Sequence, residues 1–169
     1  MLLARAASIF VLSLFTWIAA HAQPSTRVEV QGAVKQSLSL DVAALAAFPA
    51  QAIGEVTSTS SGAGTAASTT VRGVKLSALI ERAGLVTADK NDWKTLVVVA
   101  TATDGYRAVF SWPELSNTAV GEGALVLFER DGKPLDEREG RIAMISAADL
   151  RKGPRHVRNL VRIEVRALN

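Results

Sequence analysis

After residue 22 the chain is written in short apolar segments, each closed by a glycine, a proline or an Asp-Gly pair. That punctuation leaves room for short strands and shorter helices, and for little else. Residues 27–30 alternate polar and apolar as a half-buried strand does; Gly32 closes them, and residues 37–40 alternate again. Asp41 stands as an N-cap before a short helix at 42–48, which Pro49 ends. A strand is expected at 52–57. Residues 58–70 contain only serine, threonine, glycine and alanine, and read as a flexible loop or hairpin tip. They lack the pattern of a phosphate-cradling loop, in which glycines lead directly into a helix with a lysine at its start.

The second half repeats the style. Leu76, Leu79, Ile80 and Ala83 fall on one face of a helix at 75–83, with Gly84 as its left-handed cap. Residues 94–100 are the most apolar run after residue 22 and predict a central strand. Asp104-Gly105 turns the chain into a strand at 106–110. Ser111-Trp112-Pro113-Glu114 is a capping box that opens a short helix ending near Asn117. Further strands are expected at 124–129, 141–145 and 159–165, with turns at 131–135 and Gly140. Strands outnumber helices, and neither a repeat nor a linker is visible. The fold class is α+β: mixed or antiparallel sheets with a few short covering helices.

Residues 1–22 read as a signal peptide rather than as part of the fold. Arg5 supplies the positive start, residues 9–18 are apolar but too short to span a bilayer, and Ala20-His21-Ala22 is a small-x-small cleavage site. The expected destination is the periplasm or the medium, without stable membrane insertion. Residues 23–169 then form one domain with enough chain to bury a core. An exported chain has access to disulfides, yet this one has no cysteine at all. Thiolate nucleophiles, thiolate metal ligands and dithiol redox chemistry are therefore excluded. His156 is the only histidine after residue 22, which argues strongly against a histidine- or cysteine-based zinc site as well. Without Arg5, 18 of the 19 basic residues face 16 acidic ones, a net charge of +2. Bulk charge gives no reason to expect a nucleic-acid partner.

The basic residues cluster instead. Arg151, Lys152, Arg155, His156 and Arg158 surround Gly153-Pro154 and run directly into the last strand. A cationic turn joined to a buried strand suits an anion: guanidinium groups grip oxyanions bidentately, and glycine lets the backbone approach. The alternative is a solvated basic edge whose arginines pair with Asp149, Glu139 and Glu164. A hydrolytic reading with a serine, His156 and Asp149 is disfavoured, because the chain has no G-x-S-x-G elbow.

Several of these segments, in order, resemble the molybdopterin-binding domain of the sulfite-oxidase fold. Gly73-Val74-Lys75-Leu76-Ser77-Ala78-Leu79-Ile80 is similar to that family's G-V-x-L-x-x-L-L segment. Asp104-Gly105-Tyr106 is similar to its D-G-Y strand entry, and Asp131-Gly132-Lys133-Pro134-Leu135 to its N-G-x-P-L turn. Gly140 resembles the first glycine of its G-G-P-L-R segment. Gly153, Arg155 and Arg158, followed by residues 162–165, resemble its G-x-K-x-x-K turn and closing strand. The resemblance covers about residues 27–166. It implies that Gly153, Arg155 and Arg158 hold a pterin phosphate, and His156 in the same turn joins them as a candidate cofactor-binding residue. It also implies a molybdenum-ligating cysteine near Ser61, the remaining candidate position, where no cysteine stands. A serine hydroxyl is a poor substitute for a thiolate on a soft, redox-active centre. Arg141-Ile142 replaces the family's Gly-Pro after Gly140.

The expectation is an exported, non-catalytic relative of the oxidoreductase molybdopterin-binding domains. It would bind an anionic small molecule or a periplasmic protein partner at the pterin cleft, with no metal, no assigned catalytic residue and no molybdopterin. The alternative, implied by the resemblance, is a molybdopterin-dependent oxidoreductase or an accessory subunit of one.

Overall fold

Strand pairing begins with β1 (Arg27–Gly32) and β2 (Leu38–Asp41), which lie antiparallel and lead into α1 (Val42–Ala46). The computed structural model describes residues 24–62, 65–151 and 153–168, without the side chains of 60–62 and 65–67. The expected signal segment, 1–22, lies outside the described residues. Asp41 caps α1 as its sequence predicts, its carboxylate accepting a 2.9 Å hydrogen bond from the Ala44 amide. β3 (Ile53–Gly62) and β4 (Thr65–Lys75) follow as a long hairpin, and β4 passes into α2 (Leu76–Ala83). β5 (Leu96–Ala102) and β6 (Arg107–Ser111) form a second hairpin. Two short helices, α3 (Trp112–Asn117) and α4 (Ala119–Gly123), precede β7 (Ala124–Arg130) and β8 (Lys133–Pro134). β9 (Ala143–Ser146) and β10 (Leu160–Ala167) complete the described chain.

These strands make two sheets. One has the order β2-β1-β10-β5-β6; β1 and β10 are parallel and the other neighbours antiparallel. The other runs β3-β4-β7, with β8 and β9 sharing the far edge of β7. The α+β class expected from the sequence is what the chain adopts. Val28, Val98, Phe110 and Ile163 from the first sheet meet Val74, Val126 and Phe128 from the second in one core, with Leu76, Leu79 and Ile80 of α2 packed among them. Leu125 and Leu127, on the opposite side of β7, bury against Val71, Leu135 and Ala143. β7 is thus apolar on both faces, which accounts for its unbroken hydrophobic run.

Three expectations need correction. Residues 58–62 and 65–70 are the end of a hairpin and not a flexible loop: they pair in continuous antiparallel register that runs from Ile53↔Val74 to Gly62↔Thr65. Threonine tolerates extended backbone well, and this pairing needs no bulky side chain. The most apolar run lies in β5, an interior strand, but the middle of the sheet is β10. The capping box is only half formed. Ser111 Oγ accepts from the Glu114 amide at 3.1 Å, while the Glu114 carboxylate turns away to Arg155.

Candidate functional site

The basic turn between β9 and β10 is held on three sides. Val157 exchanges hydrogen bonds of 2.8 Å with Met144 of β9. The amide of Asn159 donates to Glu139 O at 2.7 Å. Tyr106, at the entry to β6, donates its hydroxyl to Pro154 O at 2.6 Å. Gly153 has a φ of +126° with nothing within 4 Å of where a Cβ would stand. Glycine is required there by backbone conformation, not by crowding.

Arg155 and His156 lie side by side in sequence and serve different carboxylates. Arg155 Nε donates to Asp149 Oδ2 at 2.7 Å, Nη2 donates to Asp149 Oδ1, and Nη1 donates to Glu114 Oε1 at 2.9 Å. Its guanidinium also stacks 4.4 Å from the Phe110 ring centroid. The hydrogen bonds from Arg155 hold the Asp149 carboxyl below the usual range against the opposing effect of burial. The same bond to Asp149 raises the Arg155 guanidinium. Of the two sequence alternatives for this residue, the pairing with Asp149 is the arrangement present. The Glu114 contact was hidden, because Glu114 read as a capping residue.

His156 Nε2 lies 2.9 Å from Oε1 of Glu139, a buried carboxylate. Arg130 grips the same carboxylate, with Nε donating to Oε2 at 3.0 Å and Nη2 donating to both oxygens at 2.7 Å. Burial alone would push the Glu139 carboxyl up. The hydrogen bonds from His156 and Arg130, together with their charge, outweigh it and hold the group below its ordinary value. Sequence reading placed neither Arg130 nor Arg138 in the site.

Three adjoining cavities share His156. One, of about 320 Å³, is lined by Ala102, Asp104, Tyr106, Gly153 and Arg158. Another, of about 280 Å³, runs along Val56, Thr57 and Ser58 of β3 past Arg130, Asp149 and Arg155. A third, of about 430 Å³, is lined by Arg130, Asp136, Arg138, Glu139 and Arg158. Arg158 is exposed, and among the described residues it forms no ion pair. The cleft therefore gathers Gly153, Arg155, His156 and Arg158. Ser61 pairs with Ala66 near the hairpin tip, roughly 10 Å along the strand from Ser58 at about 3.3 Å per residue. The Ser61 side chain lies outside the described residues. The disfavoured Ser–His156–Asp149 arrangement does not form among the described residues: Ser146 donates to Asp149 at 2.7 Å, but His156 is turned to Glu139.

The two-sheet fold is that of the sulfite-oxidase-type molybdopterin-binding domains. The sequence matches the model of the oxidoreductase molybdopterin binding domain family over residues 16–167, and the chain belongs to that family. Among solved structures it resembles the sulfane dehydrogenase SoxCD from Paracoccus pantotrophus, with a TM-score of 0.62 and 17% identity. The alignment covers 89% of this chain and 41% of that one, so the chain spans about two fifths of its neighbour's length. No curated protein matches it.

The residues present fit one half of the family's cofactor. Arg158, the Gly153 backbone and His156 offer an oxyanion both charge and hydrogen-bond donors. The metal half does not fit. The chain has no thiolate to offer, and among the described residues no three acidic or histidine side chains stand close enough to hold a metal.

Proposed function

We propose that the chain is an exported, non-catalytic member of its family that binds an anionic small molecule in the cleft around His156. The observation that carries this reading is the convergence of three cavities on one histidine, with Arg130, Arg138 and Arg158 on their walls. Arg158 is the primary anion contact, because it is exposed and none of the described carboxylates engages it. Gly153 lets the backbone approach the ligand. Arg155 positions the turn, since Asp149 and Glu114 already occupy both edges of its fork. The absence of cysteine supports a ligand without molybdenum. Titration calorimetry with sulfate and inorganic phosphate tests the reading. Wild type binds, and Arg158→Glu weakens binding at least about tenfold, as loss of a charge-assisted contact together with new repulsion requires. Equal affinity in both proteins removes Arg158 from the site.

Family membership favours a second reading, a molybdopterin-dependent oxidoreductase or an accessory subunit whose metal ligand comes from another chain. Metal analysis and pterin fluorescence of protein purified from its native host separate the two. Stoichiometric molybdenum and pterin would overturn the first reading; absence of both removes the second.

A further inference from the structure

Resting on the anion-binding reading, we infer that His156 makes the cleft a proton-coupled site: a fully ionised oxyanion enters only together with a proton taken up at His156 Nδ1. Glu139 is buried and held by Arg130, so it remains a carboxylate and can only accept hydrogen bonds. An imidazole nitrogen that bonds to a carboxylate must carry a hydrogen. Nε2 is thereby fixed as N–H in both charge states of the ring, and all titration falls on Nδ1. Nδ1 has no hydrogen-bond partner among the described residues. No buried side-chain nitrogen among them lacks a partner, so Nδ1 is open to solvent, and His156 lines all three cavities. When the ring is neutral, Nδ1 presents a lone pair, which repels an oxyanion. When the ring is protonated, Nδ1 presents an N–H that donates to one.

The surrounding charges do not duplicate this switch. On its own turn, His156 is flanked by Arg155, which is neutralised by Asp149 and Glu114, and by Arg158. From the end of β7 comes Arg130, committed to Glu139. The segment before Gly140 brings Asp136, Arg138 and Glu139 to the third cavity. The turn before β6 brings Asp104, whose carboxylate accepts from the Tyr106 amide, and Tyr106, whose hydroxyl is committed to Pro154. Among the described side-chain types gathered here, histidine alone exchanges a proton readily near neutral pH. The ligand class follows from this. With the ring protonated the site takes dianions. With the ring neutral it prefers an anion that brings its own hydrogen, such as a hydrogen phosphate.

Sulfate is the direct probe, because it carries no proton anywhere in that range. Calorimetry is run from about pH 5 to about pH 8 in two buffers of different ionisation enthalpy. Sulfate affinity is expected to fall with rising pH, by up to about tenfold per unit once the free histidine is neutral, with close to one proton taken up per sulfate. His156→Gln retains an N–H for Glu139 and removes the titration; its sulfate affinity is expected to be flat with pH, with no proton uptake. Proton uptake in wild type is read without any variant, so a poorly folding substitution leaves the test intact. Sulfate binding that is independent of pH and moves no proton overturns the gate and leaves the anion site standing. Failure of both sulfate and phosphate to bind at any pH overturns both.

Discussion

Arg155 and Arg158 are three residues apart in one turn and are held differently. Arg155 bridges Asp149 and Glu114 and covers Phe110, so it ties the turn to α3 and β6. Arg155→Ala is expected to cost roughly 1–3 kcal/mol in denaturant unfolding, because two partly buried carboxylates lose their partner. Arg158→Ala is expected to stay within about 0.5 kcal/mol of wild type, as an exposed side chain without a described partner should. Glu139 gives the fold a defined acid response. Its carboxyl and that of Asp149 are lower in the folded chain than in the unfolded one. The unfolded chain therefore binds more protons on acidification. The stability these groups contribute is complete above the ordinary carboxylate range and is lost as the pH falls through their lowered folded values. Chemical unfolding measured from neutral pH down to about pH 3 should show this loss. Glu139→Gln should lower the neutral plateau and flatten part of the acid slope. An unchanged slope would mean that the Glu139 cluster does not couple to folding.

At the level of elements, α3 and α4 are joined by Thr118 alone, and the junction depends on Gly121. A Cβ there would stand 1.8 Å from Leu115 O. In an open helix, alanine in place of glycine stabilises by about 1 kcal/mol. Here the sign reverses, and Gly121→Ala is expected to destabilise by about 3 kcal/mol or more, read as a fall in the thermal midpoint. The junction was not legible in the sequence. Thr118 caps α4 with a 3.2 Å bond from the Val120 amide, but a five-residue helix carries too little periodicity to register. The helix with the clear apolar face, α2, was legible from Leu76, Leu79, Ile80 and Ala83, all of which are buried. Ser111 as a cap and the Asp104-Gly105 turn were legible for the same reason: their chemistry is local. The extent of β3 and β4 was not, because a serine and threonine ribbon owes its form to pairing and not to side-chain pattern. Gly153, Arg155, His156 and Arg158 were legible as a cluster because one turn carries them all. Glu139 was legible only as a partner for that turn's arginines, and Arg130 and Arg138 not at all, because the tertiary fold alone brings them to His156.

For the molecule as a whole, the decisive pairing is between its two extremities. β10 occupies the middle of its sheet, between β1 and β5. Removing residues 160–169 takes out that strand and separates the two halves of the sheet. Such a truncation is expected to lack a cooperative thermal transition by circular dichroism, while removal of Leu168 and Asn169 alone should leave the transition in place. The parallel register sets Val30 against Ile163, a separation of 133 residues. A ribosome adding about 5–20 residues per second makes the later partner roughly 7–27 s after the earlier one. Throughout that interval β1 has no partner on the edge that β10 will occupy. Until then the sheet cannot close, and whatever handles this polypeptide in that interval meets it before its core is sealed.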